Sequence, residues 1–202
     1  MKLRATLATI AVVAAGLATL AAVTDGFRAA TSEAAWRLAV AEWPRPLPDA
    51  TLIDQSGRTL RLWLSALRGR PVLVEFFYTS CPAICGLLAS QFQAGFERLI
   101  AQPEGPEVLL LSVSFDPERD TVTELADYAA RLGADGRIWR VARVNDPIEL
   151  RGLLDAFGVV VLPDGAGGFV HNPAIYLVDA QGRLARVYDP DAAERAIAEL
   201  GG

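Results

Sequence analysis

Soft metal-binding side chains are scarce in this chain of 202 residues: two cysteines, Cys81 and Cys85, one histidine, His171, and one methionine, Met1. With no second methionine, Met-rich copper chemistry is excluded, and a soft metal ion has to rely on the two thiolates. Two cysteines are too few for a disulfide-stapled miniature domain, so the pair needs a local explanation. Basic clusters are missing as well. The formal net charge is -5 with no block of Lys or Arg, which removes the concentrated positive charge that a nucleic-acid-binding surface requires. What remains is 52% hydrophobic and 21% charged, apolar for a soluble domain and long enough for one well-buried core plus a leader. No internal repeat is present.

Lys2 and Arg4 precede an uninterrupted run of apolar and small residues from Ala5 to Val23, closed by Asp25. That run is just long enough to cross a bilayer, and its positive end should stay in the cytoplasm. Residues 1–24 therefore read as a single N-terminal transmembrane anchor. A cleaved signal peptide is the alternative, since Ala21 and Val23 would permit cleavage. Both readings export everything that follows. Residues 25–46 read as a juxtamembrane linker, in which Trp36, Leu38 and Val40 fit a short amphipathic helix from Thr31 to Glu42, or a disordered stretch. Pro44, Pro46 and Pro48 fix φ and remove donors, giving a stiff spacer, so the folded domain should occupy residues 47–202.

Within it, Thr51–Asp54 and Thr59–Leu62 flank a turn containing Gly57, a small hairpin. Pro71 to Tyr78 is too apolar for a strand with one wet face and should be central in the sheet. Pro82–Ile100, Thr121–Leu132 and Pro147–Phe157 show helical periodicity, alternating with strands at Val108–Phe115 and Ile138–Val144. Such alternation requires crossovers and predicts a mainly parallel α/β sheet. Ala174–Asp179 and Leu184–Tyr188 add an antiparallel hairpin, and Asp191–Leu200 a closing helix. The glycine-rich Pro163–Gly168 should be a mobile surface loop.

Cys81-Pro82-Ala83-Ile84-Cys85 lies where the central strand gives way to a helix. Cys81 should then sit at the helix N-terminus, beside free amides and the positive dipole end, conditions that lower a thiol pKa. Cys85, four residues on, should share its face. Such a pair can form a disulfide, act as a redox dithiol or hold a metal. Three intervening residues instead of the two of the usual redox motif give weight to metal binding. His171 follows the glycine loop and would complete a Cys, Cys, His set suited to Cu(I), with an imidazole able to retain Cu(II). Asp120 or Thr121 should cap the following helix, and Asp116 is a candidate for an outer oxygen contact. Tyr78 reads as core or rim, and the Trp residues as packing.

Three stretches carry a family resemblance: Pro71 through Cys85, Ser112 through Thr121, and His171 with Ile175 through Asp179. From about Leu47 to its end the chain resembles the Sco/SenC family of copper-handling proteins of cytochrome c oxidase assembly. The resemblance implies a thioredoxin-like fold (α/β, a central mixed sheet flanked by helices) behind an N-terminal membrane anchor, in the bacterial inner membrane with the domain facing the periplasm. It implies Cys81, Cys85 and His171 as ligands of copper, Cu(I) or Cu(II), and a copper-receiving subunit of a haem-copper oxidase as partner. There are departures. Val170 stands where the family often has an acidic residue, and Gly86 where it often has proline. A cis Asn172–Pro173 bond would favour a thiol:disulfide oxidoreductase, the alternative function, in which Cys81 attacks and Cys85 resolves. A peroxide-reducing enzyme lacks a placeable Arg and Thr arrangement.

Overall fold

The computed structural model describes residues 2–24, 26, 28–29, 31–62, 69–81, 84–101 and 108–200, without the side chains of residues 2–5, 8, 84, 85 and 87. Met1–Trp43 and Pro44–Gly202 are two compact units. The first contains helices α1 (Lys2–Val23) and α2 (Ser32–Glu42). α2 occupies the expected amphipathic stretch and is N-capped by Thr31, whose hydroxyl accepts from the Ala34 amide at 3.1 Å. Among the described residues no helix is long and apolar enough to cross a membrane, so the span expected of residues 1–24 is not found there.

The second unit begins with β1 (Arg45–Pro46), followed by the hairpin β2 (Thr51–Asp54) and β3 (Thr59–Arg61). Then come β4 (Val72–Phe77), α3 (Ile84–Ile100), β5 (Leu109–Ser114), α4 (Val122–Leu132), β6 (Trp139–Val144) and α5 (Pro147–Phe157). The chain ends with β7 (Val161–Pro163), β8 (Phe169–His171), β9 (Ile175–Val178), β10 (Arg183–Tyr188) and α6 (Ala193–Leu200). Eight strands form one sheet in the order β1-β10-β9-β4-β5-β6-β2-β3, and β7 pairs separately with β8.

Two expectations need correction here. The sheet is mixed: only β4, β5 and β6 run parallel, while the hairpins on either side join antiparallel. The proline-rich stretch is also more than a spacer, because Arg45 and Pro46 pair with Leu184 and Arg183. Pro46 is tolerated because β1 is an edge strand with no further neighbour to serve. The folded unit therefore starts before Leu47.

Alternation along β4 divides the core between two faces. Leu73 faces a cluster with Leu88, Phe92, Phe96 and Ile197, so α3 and α6 cover that side. Phe77 points the same way and stacks on Tyr128 of α4 at 4.4 Å. Phe76 points oppositely and meets Phe157 of α5 and Tyr176 of β9 edge-on, at 5.1 and 5.8 Å. Each fully buried aromatic contributes roughly 2–3 kcal/mol. With β4 pinned from both sides, its carboxyl end, and the turn after it, are held by the core.

Candidate metal centre

Cys81 sits in the turn leaving β4, half-buried, three residues before the first residue of α3. It is thus outside the regular helix, a difference from the expected helix N-terminus. Its amide donates to the Tyr78 carbonyl at 3.2 Å, closing a tight turn in place of a helical one. Cys81 is not a free thiol. The Cys85 backbone is the second residue of α3; its side chain, and residues 82 and 83, lie outside the described residues.

The turn is held from below by Asp120, which is fully buried. Its carboxylate accepts from the Thr79 amide at 3.0 Å, the Thr79 hydroxyl at 2.5 Å and the Ser114 hydroxyl at 2.5 Å. Three donors to one buried carboxylate are what keeps such a charge inside a protein. Capping of α4 falls instead to Thr121, which forms a capping box with Glu124. Asp116 is buried too, but Arg119 donates to its carboxylate. The same guanidinium donates to the Gly167 carbonyl and lies 5.0 Å from the Phe169 ring centre.

His171 ends β8 and is 8% exposed. Its ring meets Phe115 edge-on at 5.2 Å. Burial pushes its pKa below the ordinary histidine value, opposed by a hydrogen bond with the Asn172 backbone. A buried imidazole kept neutral is the protonation state that a metal ion requires. Phe169, two residues earlier and on the same strand face, packs against Phe115 at 5.7 Å and Tyr78 at 5.4 Å. The alternate residue Val170 points out, 60% exposed.

Pro163–Gly168 is a bonded hairpin turn, not the loose loop expected of its glycines. The Asp164 carboxylate accepts from the Ala166 and Gly168 amides at 2.7 and 2.8 Å. Asn172 fastens the other end, donating to the Gly158 carbonyl at 2.9 Å and accepting from the Val160 amide at 2.7 Å. No cis peptide bond occurs among the described residues, Asn172–Pro173 included.

Tyr78 joins the Cys81 turn to the His171 strand, a role its apolar sequence context hid. Its hydroxyl donates to the Phe169 carbonyl and accepts from the Phe169 amide, each at 3.2 Å. Cys81 and His171 thus flank one aromatic patch at the carboxyl end of the parallel strands. A sulfur and a neutral imidazole there have the donor chemistry of a soft or borderline ion. Among the described residues no group of three or more His, Cys, Asp or Glu forms a metal cluster; that set excludes the Cys85 side chain.

A mixed α/β domain with a cysteine-bearing turn at this edge of the sheet defines the class, thioredoxin-like in arrangement. Residues 48–200 match the model of the SCO1/SenC family, and the chain belongs to that family. It is 28% identical over 141 residues to the SCO1 protein homolog of Bacillus subtilis, covering 69% of this chain and 71% of that protein. Among solved structures, Bradyrhizobium japonicum ScoI with copper bound superposes with a TM-score of 0.60 at 24% identity, over 77% of this chain and 99% of that one. BsSco, described as a member of the Sco family of cytochrome c oxidase assembly proteins with a disulfide switch, gives 0.66 at 24% identity, over 79% and 93%. At these identities the two structures establish the shared fold.

Proposed function

We propose that this protein is a copper chaperone. Cys81, Cys85 and His171 bind Cu(I) or Cu(II), and the ion passes by ligand exchange to the copper centre of a cytochrome c oxidase subunit. Copper is cargo here. The observation that carries this reading is that the SCO1/SenC match, residues 48–200, spans all three residues. It is supported by the copper bound to a relative of the same fold, and by the way Tyr78 ties the Cys81 turn to the His171 strand. The thiolates supply a soft pair for Cu(I), and the imidazole adds the borderline donor that favours Cu(II). Residues 1–24 tether the domain to a bacterial inner membrane, with the folded unit in the periplasm, in keeping with Lys2 and Arg4 at the start of the apolar run.

A second reading, a thiol:disulfide oxidoreductase that keeps the client's copper-ligating cysteines reduced, is favoured by one observation: Cys81 is not a free thiol. The two are compatible, because a reduced pair binds copper and an oxidised pair does not. His171→Ala separates them. A chaperone loses tight Cu(II) retention and keeps dithiol exchange with a small-molecule disulfide; unchanged copper retention in that variant contradicts the three-ligand reading.

A further inference from the structure

β8 is an edge on its far side, since β7 and β8 pair only with each other. The Phe169 amide and carbonyl on that edge have no strand to meet, and Pro163, its partner on β7, has no N–H to offer. Both Phe169 groups are bonded by one side-chain oxygen, the Tyr78 hydroxyl, which donates once and accepts once at 3.2 Å. A hydroxyl is the smallest group that can satisfy a donor and an acceptor on the same residue.

The opposite end of Tyr78 holds the other side of the site. Its carbonyl accepts from the Cys81 amide at 3.2 Å, and its ring is gripped by Phe115 at 5.3 Å and Phe169 at 5.4 Å. The chain also leaves room for this contact. A Cβ on Gly168 would lie 3.1 Å from the Tyr78 hydroxyl and 2.6 Å from the Asp164 carboxylate. The other fastenings of the hairpin, Arg119 to Gly167 and Asn172 to Gly158 and Val160, act at its tip and its base. Only the Tyr78 bonds act on the strand itself, two residues from His171.

We infer that Tyr78 is a positioning residue that sets His171 in register with the Cys81 turn, so that its hydroxyl governs how well the site holds Cu(II). This rests on the copper reading above. Tyr78 itself touches no metal. Its removal frees β8 to slide or tilt against the turn, which weakens the imidazole as a donor while leaving the thiolates in place. Cu(II), which needs the imidazole, is affected more than Cu(I), for which two thiolates suffice.

The test uses the whole chain, reduced, as wild type, Tyr78→Phe and Gly168→Ala, each titrated with Cu(II) and with Cu(I) against a competing chelator. The expected result is a Cu(II) affinity lower by about tenfold in Tyr78→Phe, the scale of losing two neutral hydrogen bonds. Cu(I) affinity should fall less, and the thiolate-to-Cu(II) charge-transfer band should shift. Gly168→Ala, which disturbs the same contact from the other side, should move the band in the same way and decides the matter if Tyr78→Phe does not fold. A role confined to stability would weaken both ions equally with the band unmoved, and that result overturns the inference, as does wild-type behaviour in both variants. Absence of stoichiometric copper in the wild type overturns the copper reading itself, and this inference with it.

Discussion

Glu75 lies opposite Ser112 in the parallel register of β4 and β5, and the Ser112 hydroxyl donates to its carboxyl at 2.5 Å. Glu75 is fully buried in the central strand, and the second carboxyl oxygen has no hydrogen-bond partner. Ser112 accepts in turn from the Trp139 indole at 3.0 Å. Burial raises the Glu75 pKa from 4.5 to about 8, only partly offset by the Ser112 bond, so the group is carried as the neutral acid at neutral pH.

That placement gives stability a definite slope with pH. Between 4.5 and about 8 the folded chain keeps a proton that the unfolded chain loses. The contribution of Glu75 is therefore fully present below 4.5 and lost as pH rises through about 8, at roughly 1.4 kcal/mol per unit within that window. His171, with its pKa lowered by burial, acts in the opposite sense on the acid side of its ordinary value. The difference between wild type and Glu75→Gln removes that second effect. Urea unfolding at several pH values should show the wild type losing stability relative to Glu75→Gln from pH 5 to 8. Parallel curves would contradict a neutral buried Glu75.

Asp120 and Thr121 are neighbours with separate tasks, and substitution should separate them. Asp120→Ala strips the Thr79 amide and hydroxyl and the Ser114 hydroxyl of their acceptor. A loss of about 2–4 kcal/mol is expected, with a copper affinity that falls as the Cys81 turn loosens. Thr121→Ala removes only the capping box of α4, about 1 kcal/mol, with copper binding unchanged. Equal effects of the two on copper would argue against Asp120 as the support of the turn.

Arg119 fastens the β7–β8 hairpin through Asp116, Gly167 and the Phe169 ring. Arg119→Ala should raise amide hydrogen exchange over residues 164–171 while exchange in β4 and β5 stays low. Exchange unchanged at the hairpin would mean that Asp164 and Asn172 hold it alone.

Much of this architecture was legible because its signals are local. The apolar run ending at Tyr78 marked the central strand, and helical periodicity marked α3, α4 and α5, with Asp146 and Gly158 as the caps of the last. β1 was hidden because Pro44, Pro46 and Pro48 remove the donors by which a strand is recognised, although an edge strand needs fewer of them. β7 and β8 were hidden by their three-residue length and the glycines between them. Cys81, Cys85 and His171 stood out by rarity and placement. Tyr78 and Asp120 did not, because their roles depend on Phe169 and Thr79, 91 and 41 residues away in the chain, distances over which no spacing rule operates.

The central claim is tested most directly by copper stoichiometry and absorption of the reduced chain beside Cys81→Ala, Cys85→Ala and His171→Ala. The account predicts one copper per chain with thiolate-to-Cu(II) charge-transfer bands, lost or weakened in all three variants. No stoichiometric copper in the wild type would contradict it, and would leave the Cys81 and Cys85 dithiol as the working part of the molecule.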